Sequence, residues 1–316
     1  MTIIITGVAG LIGSNLSTQM VNRGYKVIGL DNLKLGKLHN IKHLIEKKNF
    51  IFKKVNIGDF EILKKVFKNI LKKNKISAIW HLAANSDIKK GSKNFEIDFQ
   101  DTFLTTFNLI KLCKIYSIKK FYFASSSAIY GDLKNLKLKE NSGPLLPISA
   151  YGSSKLSAEA FISCAKESFL KKAIIFRFPN VVGRPLTHGV IFDFLKKIKK
   201  DPKKLKVLGN GKQRKIYMHV SDLLDAMLFI ERKTTNGIHI FNIGPKDKGI
   251  LVKDIAKKIT MRFGKNTNIN FEKKKQGWVG DIPSFHYNIS KLLNLGFKKK
   301  ILNSDRAINK CISEIE

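Results

Sequence analysis

The chain has 316 residues, enough to bury a sizeable core in one large or two smaller domains, and its apolar content of 43% fits a soluble globular protein. It contains no run of eighteen apolar residues and its first residues read as a core strand, so neither a membrane span nor a signal peptide is expected and the cytoplasm is the default compartment. The formal net charge of +35 would ordinarily point to nucleic acid or an anionic membrane.

That charge comes almost wholly from lysine: of 59 basic residues only Arg23, Arg177, Arg184, Arg214, Arg232, Arg262 and Arg306 are arginines. The lysines are spread over every expected helix face, and the chain is also rich in Ile, Asn and Phe, whose codons share AT-rich composition. Genome composition therefore explains the charge more simply than a nucleic-acid surface, which would concentrate Arg and interleave aromatics. No nucleic-acid or membrane partner is expected. Cys113, Cys164 and Cys311 are odd in number, widely spaced and lack metal-ligand spacing, so they read as reduced thiols, at least two on helices, with no disulfide and no metal site.

In chain order, Met1 to Thr6 is a short β-branched strand, followed by Gly7, Gly10 and Gly13 and by a helix-compatible stretch from Ser14 to Arg23. In this G-x-x-G-x-x-G turn, Gly7 permits the tight turn, Gly10 lets backbone approach a pyrophosphate, and Gly13 lets the helix pack closely on the strand. A second strand, Lys26 to Leu30, ends in Asp31, at the distance expected of a carboxylate that accepts hydrogen bonds from an adenosine ribose. An acid there repels a 2'-phosphate and favours NAD over NADP, although Lys34 and Lys37 follow closely enough to soften that preference.

Further strands are expected at Phe50 to Lys54, Ala78 to Leu82, Phe121 to Ser125, Ala173 to Arg177 and Ile238 to Asn242, separated by amphipathic segments such as Glu61 to Lys72 and Thr102 to Tyr116. Such alternation gives an α/β fold, a Rossmann-type doubly wound parallel sheet. After Asn180 the pattern becomes irregular, with Pro185, Asp201-Pro202 and Gly209-Asn210-Gly211, as expected of a smaller C-terminal substrate domain over the carboxyl ends of the strands. The expected division is 1–178 with 215–242 for the dinucleotide and 179–214 with 243–316 for the substrate.

Tyr151 and Lys155 lie four residues apart, on one face of a helix, just after the cluster Ser125 to Ser127. The pair reads either as a solvated helix pair or as a base in the making. To act as a base near neutrality the phenol must fall by roughly 3 units from ~10, or about 4 kcal/mol. One ammonium at ~6 Å supplies about 2.8 kcal/mol at an effective dielectric of ~20. A second cation, such as an oxidised nicotinamide ring, would supply the rest.

Taken together, Gly7 to Gly13, Asp31-Asn32-Leu33, Trp80 to Ala84, Ser125 to Gly131, Tyr151 to Lys155, Arg177 to Gly183, Gly209 to Gln213, His219 to Asp222 and Gly280-Asp281 resemble the extended short-chain dehydrogenase/reductases. Within them the likeness is to the NAD-dependent sugar epimerase/dehydratase family that includes UDP-galactose 4-epimerases, and it covers nearly the whole chain. The resemblance implies tightly bound NAD, a nucleotide-sugar substrate whose diphosphate the positive field would attract, and a homodimer formed through the Thr102–Tyr116 and Tyr151–Lys166 helices. It assigns the catalytic roles to Ser126, Tyr151 and Lys155, with Ser126 relaying the sugar hydroxyl proton, Tyr151 as base and then acid, and Lys155 on the nicotinamide ribose. It assigns NAD to Gly7, Gly10, Leu11, Ile12, Gly13, Asp31, Asn32, Asn56, Ile57, Leu82, Ala83, Ala84, Tyr151 and Lys155, and the substrate to Ser126, Tyr151, Asn180 and Lys215.

Subfamilies diverge at the two residues after Ser126. The family's 4,6-dehydratases carry Asp-Glu there and its decarboxylases usually Glu, whereas this chain has Ser127 and Ala128, so 4-epimerisation through a transient ketone is expected. A net oxidoreductase or a dehydratase of the same fold is the alternative; a dinucleotide-sensing or nucleic-acid-binding protein is more remote. The chain departs from the family at Asn56, where Asp is common, and at Lys215 and Trp278, which align with arginines, so its nucleotide diphosphate is expected to be held differently. Trp278 reads equally as a stacking platform or as core. His81 reads as a core or hydrogen-bonding histidine, and Tyr217 and His219 as structural residues of a strand.

Overall fold

The computed structural model describes residues 1–133, 137–273 and 286–315, so Trp278, Gly280 and Asp281 lie outside the described residues. Its centre is a parallel seven-stranded sheet in the spatial order Gly237–Asn242, Lys172–Arg177, Lys120–Ala124, Ile76–His81, Thr2–Thr6, Lys26–Asp31, Phe50–Lys54. Five of these strands begin one or two residues before the sequence reading or end one residue away from it, and Phe50–Lys54 coincides with it.

Alternation within each strand assigns side chains to the two faces of the sheet. Ile3 and Ile5 join Val27, Ala78, Trp80, Tyr122, Ile174 and Phe176 on one face. Ile4 joins Ile28, Ile79, Phe121, Phe123 and Ile175 on the other. Each of the three isoleucines of the first strand is 1% exposed or less, and each such side chain contributes about 1.5–3 kcal/mol by leaving water. Both faces are thus apolar, as a parallel sheet covered by helices requires.

Strand order reverses between Thr2–Thr6 and Ile76–His81, and it is outside the carboxyl ends of the strands at such a switch that a doubly wound sheet binds its ligand. A third, separate apolar cluster lies in the C-terminal part, where Ile191, Phe194 and Ile198 of helix Val190–Lys200 meet Ile255 and Ile259 of helix Val252–Phe263 and Ile308 and Cys311 of helix Ser304–Ser313. Asn180–Val182 pairs in parallel with Tyr217–His219 as a separate two-stranded sheet. Cys113, Cys164 and Cys311 are all free thiols and all three are on helices.

Candidate active site

The glycine turn is built by close approach. Gly7 has φ +68° and its amide donates to the Leu30 carbonyl at 2.9 Å; a Cβ there would lie 2.8 Å from the Ala83 amide nitrogen. A Cβ on Gly13 would sit 2.1 Å from the Gly7 carbonyl oxygen, so only glycine lets the helix descend onto the turn. Gly10 is the N-cap of helix Leu11–Asn22, which therefore starts three residues before the sequence reading. That cap brings no side-chain hydrogen bond and the first turn holds no acid, which leaves the helix N-terminus, with Leu11 and Ile12 half-buried beside it, to an anion.

Around this turn stand the other residues assigned to the dinucleotide. Asp31 accepts the Ala9 amide at 2.9 Å through one oxygen and the Leu33 amide at 2.8 Å through the other. Burial raises its carboxyl and these backbone donors hold it down. Asn32 accepts from the Lys34 amide, and Lys34 itself pairs with Asp101 at 2.5 Å. Asn56 is exposed and accepts from the Gly58 amide, while Ile57 is buried. Leu82 and Ala83, with Ala84 half-buried next in the chain, leave the fourth strand with their amides on Thr6 Oγ1 at 3.2 Å. His81 lies between Thr6 Oγ1 at 2.7 Å and Thr106 Oγ1 at 2.9 Å, the hydrogen-bonding core histidine expected, and burial followed by the nearby Lys155 charge keeps its ring neutral.

The end of strand Lys120–Ala124 delivers the serines. Ser125 donates to Glu159, Ser126 accepts the Ala128 amide at 3.1 Å and hydrogen-bonds Tyr151, and Ser127 hydrogen-bonds Tyr287. Tyr151 and Lys155 share helix Ala150–Ser168, capped by Ser149 on the Gly152 amide. Lys155 is 1% exposed, donates to the Ala124 carbonyl at 2.6 Å and lies 5.7 Å from the Tyr151 ring centre. The structure brings Ser126, Tyr151 and Lys155 together.

Charge at this triad differs from the sequence expectation, which counted Lys155 as the dominant influence on Tyr151. In the chain alone, burial pushes the phenol above its ordinary range, the Ser126 hydrogen bond pulls it down, and Asp98 pushes it up. Burial also lowers the Lys155 ammonium from 10.5 to about 7, with Glu159 and then Asp98 acting upward. A lysine depressed in this way binds fewer protons folded than unfolded between about 7 and 10.5, so its contribution makes stability rise with pH across that window. Unfolding free energies measured from neutral pH upward should show that rise in the wild type relative to Lys155→Met, and parallel curves for the two proteins would contradict it.

Substrate-side residues are less concentrated. Asn180 is exposed and its amide donates to the Ile216 carbonyl at 3.2 Å. Half-buried Lys215 pairs with Ile250 in a two-stranded antiparallel sheet. His219 caps helix Val220–Lys233 through the Ser221 amide and meets Glu314 at 3.2 Å, and Tyr217 packs in the third apolar cluster. Sequence reasoning missed Asn85, Asp98, Glu159 and Tyr287 altogether. Asn85, Asp98 and Tyr287 are brought to the triad by tertiary folding and no local spacing marks them, whereas Glu159 follows Lys155 by four residues on the same helix, a spacing that could have found it.

A nucleotide-loop Rossmann sheet with a Ser-Tyr-Lys triad at its carboxyl edge defines a dinucleotide-dependent enzyme of the extended short-chain dehydrogenase/reductase type. Residues 3–244 match the pattern of the NAD dependent epimerase/dehydratase family, and the chain belongs to that family. A dTDP-D-glucose 4,6-dehydratase of Dictyostelium discoideum is 30% identical over 345 residues, covering 95% of this chain and 78% of the relative. The structure superimposes on a UDP-galactose 4-epimerase with TM-score 0.85 and 28% identity, covering 99% of this chain and 98% of the other. It likewise superimposes on the Thermus thermophilus UDP-glucose 4-epimerase in complex with NAD, at TM-score 0.84 and 26% identity over 99% and 98% of the two chains. The cradle formed by Gly7, Gly10, Gly13 and Asp31 fits NAD, the cofactor of this family.

Proposed function

We propose that the protein inverts C4 of a nucleotide sugar through a transient 4-keto sugar, with Ser126, Tyr151 and Lys155 as its catalytic residues. The observation that carries the choice of epimerisation over dehydration is the chemistry beside the triad: Ser127 and Ala128 follow Ser126, and neither supplies the acid that loss of water from the sugar needs. Ser127 is turned to Tyr287, and Glu159, the nearest buried carboxylate on the Tyr151 helix, is held by Arg177.

Bound NAD supplies the acceptor and donor for the C4 hydride. Ser126 holds the sugar C4 hydroxyl against the phenol, Tyr151 takes its proton and later returns one, and Lys155 orients the nicotinamide ribose. Gly7, Gly10, Leu11, Ile12 and Gly13 hold the pyrophosphate, Asp31 and Asn32 the adenosine ribose, Asn56 and Ile57 the adenine, and Leu82, Ala83 and Ala84 the remaining wall. Asn180 and Lys215 contact the nucleotide sugar from the part formed by 179–214 and 243–316, over the dinucleotide unit of 1–178 and 215–242.

Two copies pair through an aromatic face that supports a homodimer: Phe99, Phe103, Phe107 and Phe161 are linked by ring contacts of 5.4 to 6.2 Å, with Phe99 and Phe161 exposed. Among the described residues no helix is long and apolar enough to cross a membrane, and we place the enzyme in the cytoplasm, where its reduced thiols and nucleotide-sugar substrate fit. Incubation with a panel of UDP-, GDP-, CDP- and dTDP-sugars in deuterated water, read by NMR, should give a C4 epimer carrying no solvent deuterium at the inverted carbon. Deuterium at that carbon, or a 4-keto-6-deoxy product, would overturn the reading.

A further inference from the structure

Asp98 has no role in the proposed reaction, yet it is fully buried beside the triad. It ends the short helix Phe95–Asp98, which packs against helix Ala150–Ser168. One carboxylate oxygen accepts from Asn85 Nδ2 at 2.8 Å, and the other, Oδ2, is buried without a hydrogen-bond partner. Helix Ile88–Lys93 closes over it at Gly91, where an added Cβ would fall 1.8 Å from Oδ2. A buried carboxylate with an unpaired oxygen is costly unless a nearby charge offsets it.

Among the surrounding charges, Lys155 is the cation that pulls this carboxyl down. Burial pushes the Asp98 carboxyl upward first, followed by Asp101 on the π-helical turn that follows Asp98 and by Asp87 on the loop before helix Ile88–Lys93. Lys90 and Lys34 face outward onto Asp87 and Asp101. From helix Ala150–Ser168 come Tyr151, Lys155 and Glu159, and Glu159 is already bound by Arg177 and Ser125. The neutral His81 is influenced by the same Lys155 charge. The Lys155 charge acts on Asp98, and Asp98 acts in turn on the Lys155 ammonium, after Glu159, and on the Tyr151 phenol.

We propose that Asp98 is a positioning residue of this site, its buried carboxylate adding to Glu159 as a counter-charge that keeps Lys155 an ammonium and Tyr151 a phenol until ligands arrive. The inference rests on the roles given above to Tyr151 and Lys155, but its readout needs no turnover. In Asp98→Asn the negative neighbour is lost, so the phenol ionises more easily and the ammonium less so. Both midpoints move to lower pH.

The Tyr151 midpoint is read by ultraviolet titration of the purified protein after subtraction of Tyr151→Phe in the same background. It should fall by on the order of one pH unit in Asp98→Asn, a tenfold change in the ionisation constant, and stay near wild type in Asp98→Glu. The Lys155 midpoint is read as the pH at which stability begins to rise relative to Lys155→Met, and it should fall in Asp98→Asn as well. If Asp98→Asn does not fold, Asn85→Ala replaces it: removing the amide donor drives the Asp98 carboxyl towards its neutral form and should move both midpoints the same way. An unmoved Tyr151 midpoint, an unmoved Lys155 onset, or the same shift in Asp98→Glu overturns the assignment. Failure of the epimerase reading appears separately, as shifted midpoints in a protein that makes no C4 epimer.

Discussion

Tyr151→Phe is expected to lower turnover by about 10²–10⁴-fold while leaving most bound NAD in place, because it removes the hydroxyl proposed to move the proton and leaves the cradle of Gly7, Gly10, Gly13 and Asp31 intact. The phenol hydrogen-bonds Ser126, whose own hydroxyl is fixed by the Ala128 amide, so the two oxygens form a short proton path at the strand end. Neither the glycine turn nor Asp31 has Tyr151 among its hydrogen-bond partners. Turnover with the active nucleotide sugar and NAD content of the purified protein, measured side by side, check the expectation. Turnover within a few-fold of wild type would remove Tyr151 from the proton path, and loss of NAD together with activity would make it a cofactor residue instead. Ser126→Ala should cost less, because a water molecule can take the place of a hydroxyl in the relay.

Much of the fold is legible because its demands are local. A strand of Ile3, Ile4 and Ile5 must be covered on both faces, and the two faces are indeed occupied by separate clusters. The spacing of Gly7, Gly10 and Gly13 is legible because a Cβ at Gly13 meets backbone at 2.1 Å, a constraint that no other residue satisfies. Charge in the site is less legible. Sequence spacing counts Lys155 as a cation four residues from a phenol, but its solvation depends on how deeply the helix sinks against strand Lys120–Ala124, and at 1% exposure burial outweighs attraction. Asp98 is hidden for a similar reason. Its run Phe95 to Asp101 contains three acids with no spacing that marks one of them for burial, and Asp98 leaves water where Gly91, Asn85 and helix Ala150–Ser168 close around it. The helix expected from Thr102 starts as a π-helical turn at Phe99–Leu104, which has no sequence signature.

Arg177→Met is expected to destabilise the protein by about 3–5 kcal/mol, a large part of the 5–15 kcal/mol that holds a typical domain together. Arg177 is 3% exposed at the end of its strand, and its Nη2 lies 2.6 Å from Glu159 Oε2. Its Nε donates to both Glu159 oxygens, while Nη1 donates to the Tyr130 hydroxyl at 3.0 Å and the Glu140 carbonyl at 2.8 Å. Methionine fills the space but leaves the Glu159 carboxylate, 5% exposed, with Ser125 as its hydrogen-bond donor and no cation in contact. The energy lies in the stranded charge more than in the pair itself. A second substitution, Glu159→Leu on the Arg177→Met background, should therefore recover most of the loss in urea denaturation. Because Ser125 precedes Ser126, activity should not recover with it: the double variant is stable but no longer anchors the hydroxyl next to the catalytic one. Equal destabilisation in the single and double variants would show that Arg177 acts through Tyr130 and Glu140 rather than by neutralising Glu159.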